Sequence, residues 1–170
     1  MKILINDANI IFDLCNANAF QYIFNLPYEI HTVDFVVTEI KQQEQQEQVT
    51  QAIKQGKLKV KKFSPTEMIE LFNLKDKESH KLTINDVSVI YYAMQTPESV
   101  ILTGDKKLRQ SAQKHRIQTF GILFVIDKYV DMNIISNDEA IKILYDLIKT
   151  NKWLPKEDIN SRIKHLKNHT

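Results

Sequence analysis

The sequence predicts an α/β domain, with a central, mostly parallel sheet of about four to five strands flanked by helices and a helical extension at the C-terminal end. Apolar runs of strand length recur along the chain, and a stretch with helical spacing follows each of them. One run, Ser99 to Thr103, is apolar through its centre, as a strand buried on both faces of a parallel sheet is. The 170 residues, 43% of them apolar, suit one domain, with a core over about 1–130 and C-terminal helices over about 131–168.

The first strand spans Lys2 to Asn6. After it, Asn9 is expected to cap a helix that places Ile10, Ile11, Leu14 and Cys15 on one side, and Phe20, Ile23 and Phe24 carry apolar helical spacing on to Pro27. His31 to Val37 is predicted as the second strand and Thr38 to Gln55 as a helix ended by Gly56. The glutamine-rich run Gln42 to Gln51 fits an exposed helix face, because Gln and Glu are good helix formers and Ile40, Val49 and Ile53 remain for packing. Leu58 to Phe63 alternates apolar and basic residues like a half-exposed strand.

Ser64-Pro65-Thr66-Glu67 combines a capping box with proline at the first helical position, so a helix begins there. Thr83 to Asp86 opens another, with Val87, Ile90, Tyr91 and Met94 as its buried stripe and Pro97 as its stop. Gly104 and Asp105 turn the strand Ser99 to Thr103 into a helix over Lys106 to Lys114, and Ile117 to Phe120 is a last short strand. Gly121 to Val130, Asn137 to Lys149 and Lys156 to Lys167 are predicted helices.

Several function classes drop out. No apolar stretch approaches the roughly 20 residues that span a bilayer, and the N-terminus opens directly into a strand, so a cytoplasmic location and no membrane association are expected. The single cysteine, Cys15, is expected as a buried thiol on an apolar helix face. A net charge of +2 is too mild to mark a nucleic-acid binder by itself. Local clusters stand at Lys57, Lys59, Lys61 and Lys62, at Lys106, Lys107 and Arg109, and at Lys164, His165 and Lys167; singly, each fits a solvated face. Motifs of the zincin, zinc-ribbon and P-loop types are missing, and His31, His80, His115, His165 and His169 stand at no metal-ligand spacing.

Four acids share one kind of position. Asp7 follows the first strand, Glu39 the second, and Asp105 the strand Ser99 to Thr103, while Asp86 lies in the first turn of its helix. Open parallel sheets bind ligands beyond the carboxyl ends of their strands, so residues a hundred positions apart can converge there. Taken singly, each acid also fits a helix cap or a partner of the helix dipole, and Asp86 with Thr83 makes a capping box. Jointly, crowded carboxylates repel unless a cation neutralises them, and Mg²⁺ or Mn²⁺ prefers such oxygen donors. A metal held there suits hydrolysis of a phosphodiester.

These residues resemble the PIN-domain ribonucleases, which include the VapC-type toxins of toxin–antitoxin pairs. The resemblance rests on Ile5-Asn6-Asp7-Ala8-Asn9-Ile10-Ile11-Phe12-Asp13-Leu14, Val36-Val37-Thr38-Glu39-Ile40, Leu82-Thr83-Ile84-Asn85-Asp86-Val87-Ser88 with Tyr92-Ala93, and Ile101-Leu102-Thr103-Gly104-Asp105-Lys106-Lys107-Leu108. It implies a Rossmann-like PIN fold and Mg²⁺- or Mn²⁺-dependent cleavage of single-stranded RNA, with Asp7, Glu39, Asp86 and Asp105 as the catalytic, metal-holding acids. Asn9 and Thr103 match the family's small polar positions, which support the acids by hydrogen bonds. Lys106, Lys107 and Arg109 are the expected RNA contacts. Family members commonly form homodimers and pair with a small antitoxin protein, so the resemblance implies those partners beside RNA. The chain runs some forty residues past the usual small toxin, and these extra helices are expected first to complete the core.

Two other classes stay open. A phosphotransfer protein of the haloacid-dehalogenase or response-receiver type also places an aspartate after strand one, but the former wants a second Asp where this chain has Asn9, and neither uses an acid like Glu39. A non-catalytic binding module would keep the acids only as caps.

Overall fold

The computed structural model describes residues 2–78 and 80–168. Five strands, β1 (Ile3–Asn6), β2 (Glu29–Val33), β3 (Leu58–Lys61), β4 (Ser99–Leu102) and β5 (Gln118–Phe120), form one sheet in the order β3-β2-β1-β4-β5. Every pairing is parallel. The chain builds outward from β1 through β2 to β3, then returns to lay β4 on the other side of β1. The strand order therefore reverses between β1 and β4, and the crevice that receives ligands in such sheets opens beyond their carboxyl ends. There the Asp7 amide donates to the Leu102 carbonyl at 3.0 Å, joining the two strand ends.

The helices are α1 (Ala8–Asn16), α2 (Asp34–Glu39), α3 (Gln43–Lys54), α4 (Pro65–Lys77), α5 (Ile84–Gln95), α6 (Lys106–Lys114), α7 (Ile122–Asp131), α8 (Asn137–Thr150) and α9 (Lys156–Lys167). Ile5, Ile101 and Leu102 of the central strands are fully buried between them. The same core takes in Ala140, Leu144 and Leu147 of α8 and Ile159 and Ile163 of α9, so the last helices complete it. Asn151, just past α8, donates to both carboxylate oxygens of buried Asp13 on α1 at 3.0 Å. Arg162 of α9 grips Asp127 of α7 through Nε and Nη2, each at 2.8 Å.

Four local expectations need correction. The second strand covers Glu29–Val33, and the following residues coil into α2. Phe35, Val36 and Val37 have the composition of a strand, but Asp34 Oδ1 accepts the Phe35 amide at 2.9 Å and the turn it starts buries Val36 completely. The helix expected over Thr38 to Gln55 is split in two, because Ile40 and Gln42 are extended. The cap of α1 is Asp7 and not Asn9, and Phe20–Asn25 forms a 3₁₀ turn.

Gly56 sits one residue beyond the α3 cap at φ +68, where its amide bonds Ile53 O and the Lys57 amide bonds Ala52 O. This paired closure favours glycine because it needs a left-handed residue. The same closure ends α1, α6 and α7, with Asn18, Arg116 and Asn133 in the left-handed position. Cys15 is buried as expected. Among the described residues no helix is long and apolar enough to cross a membrane, and His169 lies outside the described residues.

Candidate active site

Because Asp7 caps α1, its Oδ1 takes the Ala8 amide at 2.7 Å and its Oδ2 faces β4. There the Thr103 hydroxyl donates to Oδ2 at 2.7 Å. A hydroxyl has one proton to give and two lone pairs to fill, and Thr103 uses all three. Its oxygen also accepts the Asp105 amide at 3.0 Å and the Asn9 side-chain amide at 3.2 Å. Asn9 lies inside the first turn of α1, so its side chain is free of capping. It donates to Asp7 Oδ2 as well and accepts the Gly104 amide at 2.7 Å. A Cβ on Gly104 would stand 3.2 Å from Asn9 Oδ1, so the missing side chain lets the loop approach. The expected supporting residues, Asn9 and Thr103, thus join the Asp7 carboxylate to the backbone of Gly104 and Asp105 in one hydrogen-bond network.

Asp105 is the cap of α6, its Oδ1 accepting the amides of Lys107 and Leu108 at 2.6 and 3.1 Å. Asp86 closes a capping box with Thr83, whose amide and hydroxyl both donate to Asp86 Oδ2. In both acids these bonds fall on a single oxygen. Glu39 ends α2 instead of following β2 directly, and Asn85 donates to its Oε1 at 2.5 Å. That bond ties Glu39 to the first turn of α5, beside Asp86. Asn85 was not singled out among the candidate residues from the sequence. The available signal was a second polar side chain in the same helical turn as Asp86.

Asp7 is the electrostatic centre. It is 5% exposed, and burial raises its pKa from 3.8 to about 7, against the lowering effect of the Thr103 hydrogen bond; the negative charges of Asp86 and Glu39 raise it further. Asp86 and Glu39 are therefore both near enough for their charges to act on Asp7. Among the described residues, no three carboxylate, thiolate or imidazole groups converge closely enough to cage an ion. Magnesium and manganese do not need such a cage, since they bind one or two carboxylates directly and keep several waters. The donor set is all oxygen, and among the described residues no cation pairs with Asp7, so the residues fit a hard divalent metal.

The basic neighbours divide. Lys106 and Lys107 are exposed at the start of α6. Arg109 turns back, donating through Nε and Nη2 to the Thr103 carbonyl at 3.1 and 2.8 Å. Gly121 makes room for it, since a Cβ there would meet Arg109 Nη2 at 2.5 Å. Elsewhere Lys59 pairs with Glu29 and Lys61 with Glu67, each at 2.5 Å, so half of the first basic cluster is already partnered. A cleft of about 480 Å³ between α7, α8 and α9 holds none of the four acids.

The PIN-domain family model matches residues 3–168. The chain belongs to the PIN-domain family. The match includes α8 and α9, the helices that close the core. No curated protein matches the chain. PIN domains are generally nucleases and typically use divalent metals, and the all-parallel sheet with helices on both sides is the PIN α/β fold.

Proposed function

We propose that this PIN domain is a Mg²⁺- or Mn²⁺-dependent endoribonuclease that cleaves single-stranded RNA, with Asp7, Glu39, Asp86 and Asp105 as its metal-holding acids. The observation that carries the reading is the setting of Asp7, a buried carboxyl at the strand-order switch point, held by Thr103, Asn9 and Ala8 and raised to about 7 by burial and by its acidic neighbours. A carboxylate placed there gains most from a cation. Bound metal supplies a lowered pKa for an attacking water and offsets charge on the phosphodiester oxygens.

The chain's own residues do the remaining work. Thr103 and Asn9 fix the Asp7 carboxylate, and Asn85 fixes Glu39. Lys106 and Lys107 meet RNA phosphates, and the free edge of the Arg109 guanidinium adds positive charge while its other edge holds Thr103 in place. Both Asp7 oxygens already accept hydrogen bonds, which suits a ligand-holding carboxylate better than the nucleophile of a phosphotransfer protein.

The test is cleavage of a labelled single-stranded RNA with Mn²⁺ or with chelator. Wild type cuts only with metal, and Asp7→Asn and Asp105→Asn abolish cutting while keeping a cooperative unfolding transition. Retained cutting in both variants would refute the assignment. A second reading draws on the caps at Asp86 and Asp105, which account for both acids without a metal. For a non-catalytic module, calorimetry with millimolar Mn²⁺ would show no binding.

A further inference from the structure

The chain has one tryptophan, and among the described residues it is the most exposed large apolar side chain. Trp153 is 95% exposed on the loop between α8 and α9. The indole offers a large apolar face and a polar N–H to a ligand that reaches it. The backbone around it is anchored. The Trp153 amide bonds Asn151 Oδ1 at 3.0 Å, and Asn151 in turn holds Asp13 of α1. Leu154 packs against the core on one side, and Pro155 fixes the chain as it enters α9. The indole therefore projects from a held loop.

The charge around it selects the ligand. Residues 149–156 contain Lys149, Lys152 and Lys156, all exposed, and no acid. Lys149 makes an exposed pair with Asp146 at 2.9 Å, and Glu157 and Asp158 begin only in the first turn of α9. An aromatic face among lysines is the arrangement that binds single-stranded nucleic acid, with a base stacked on the ring and phosphates near the ammonium groups. The place is also suitable. Asp13 lies six residues along α1 from Asp7, about 9 Å of helix rise, and Asn151 joins the Trp153 loop to that point.

We infer that Trp153, with Lys152 and Lys156, is a stacking platform for a base of single-stranded RNA lying outside the acid cluster. The inference rests on the ribonuclease reading for its substrate class and adds a contact that the acids do not make. A strand bound at Asp7 would gain a second hold at the loop between α8 and α9, which favours single-stranded over paired RNA because only unpaired bases have a free face to stack.

Because Trp153 is the sole tryptophan, its fluorescence reports the site directly. In Asp7→Asn protein, where RNA stays intact, a short single-stranded RNA is expected to quench the emission, more weakly at high salt, and a duplex of the same sequence to leave it unchanged. Trp153→Ala should weaken single-strand binding about tenfold, Trp153→Phe should retain most of it, and Lys152→Glu with Lys156→Glu should lower it further. Unchanged emission at saturating RNA, or equal affinity of wild type and Trp153→Ala, would overturn the platform. So would emission that changes with protein concentration alone, together with a dimer that Trp153→Ala dissociates, since the indole would then meet a second copy. Quenching without any RNA cleavage by wild type would leave the platform standing and refute the nuclease reading; cleavage without quenching would do the reverse.

Discussion

Thr103 donates its hydroxyl proton to Asp7 Oδ2 at 2.7 Å, linking the ends of β4 and β1 across 96 positions of sequence. The bond favours the ionised carboxylate and opposes the burial that would keep Asp7 neutral. Each part of the site can be probed from it.

Thr103→Val keeps the shape and removes the hydroxyl. Asp7 then loses its strongest stabilising donor, and the Asn9 amide and the Asp105 backbone lose an acceptor. Stability should fall by about 1–3 kcal/mol, and Mn²⁺ affinity at neutral pH by at least tenfold, while Thr103→Ser retains both. Wild-type Mn²⁺ affinity in Thr103→Val, measured by calorimetry, would contradict the role given to this hydroxyl.

The metal-free protein should lose stability as pH rises. Asp7 has a folded pKa of about 7 and Asp13 of about 6, both raised mainly by burial from 3.8. Between 3.8 and those values the folded state holds protons that the unfolded state has released, so stability falls through that window and levels off above it. The Asp7 share over its window is on the order of 4 kcal/mol. Urea midpoints in chelator should therefore decline from pH 5 to pH 8, Asp7→Asn should flatten most of the decline, and Mn²⁺ should restore stability most at the alkaline end. A midpoint that rises with pH would contradict the burial argument.

Asn85→Ala should release Glu39 from α5 while Thr83 and Asp86 keep the helix capped. Metal affinity should drop roughly 10-fold or more, as when a supporting hydrogen bond to a metal-holding carboxylate is removed, with the thermal midpoint nearly unchanged. Equal affinity in the two proteins would show that Glu39 needs no such hold.

Gly121→Ala would press a Cβ against Arg109 Nη2 and loosen its grip on the Thr103 carbonyl. A cost of about 0.5–1.5 kcal/mol is expected, because the flexible, exposed guanidinium can swing aside at the loss of its hydrogen bonds to Thr103. In the double variant with Arg109→Ala the clash disappears, so the two costs should be clearly less than additive. Additive losses in chemical denaturation would place the effect of Gly121 elsewhere.

The sheet was legible because apolar runs and helical spacing alternate, and the parallel arrangement that follows fixes where Asp7 and Asp105 lie. The capping boxes at Ser64 and Thr83 were legible because their partners sit three residues away. What the pattern hid was decided by tertiary contact. Val36 and Val37 suit a strand until the core demands that Val36 point inward from a helix. Asn9 has the chemistry of a cap, and only the fold shows that Asp7 takes that position and frees Asn9 for Thr103 and Gly104. The bond from Asn85 to Glu39 spans 46 residues, so the polar turn at Asn85 and Asp86 does not show its partner. Arg109 shows its charge in the sequence, but not that two of its N–H groups are committed to the Thr103 carbonyl beside a glycine that leaves them room.

The most direct test of the account is an anomalous difference map from crystals soaked in Mn²⁺ at pH 8. The account predicts a manganese peak within about 2.0–2.2 Å of an Asp7 carboxylate oxygen, with Glu39, Asp86 or Asp105 bound to the ion directly or through water. A map with no peak at Asp7, from crystals that bind manganese at other carboxylates, would contradict it.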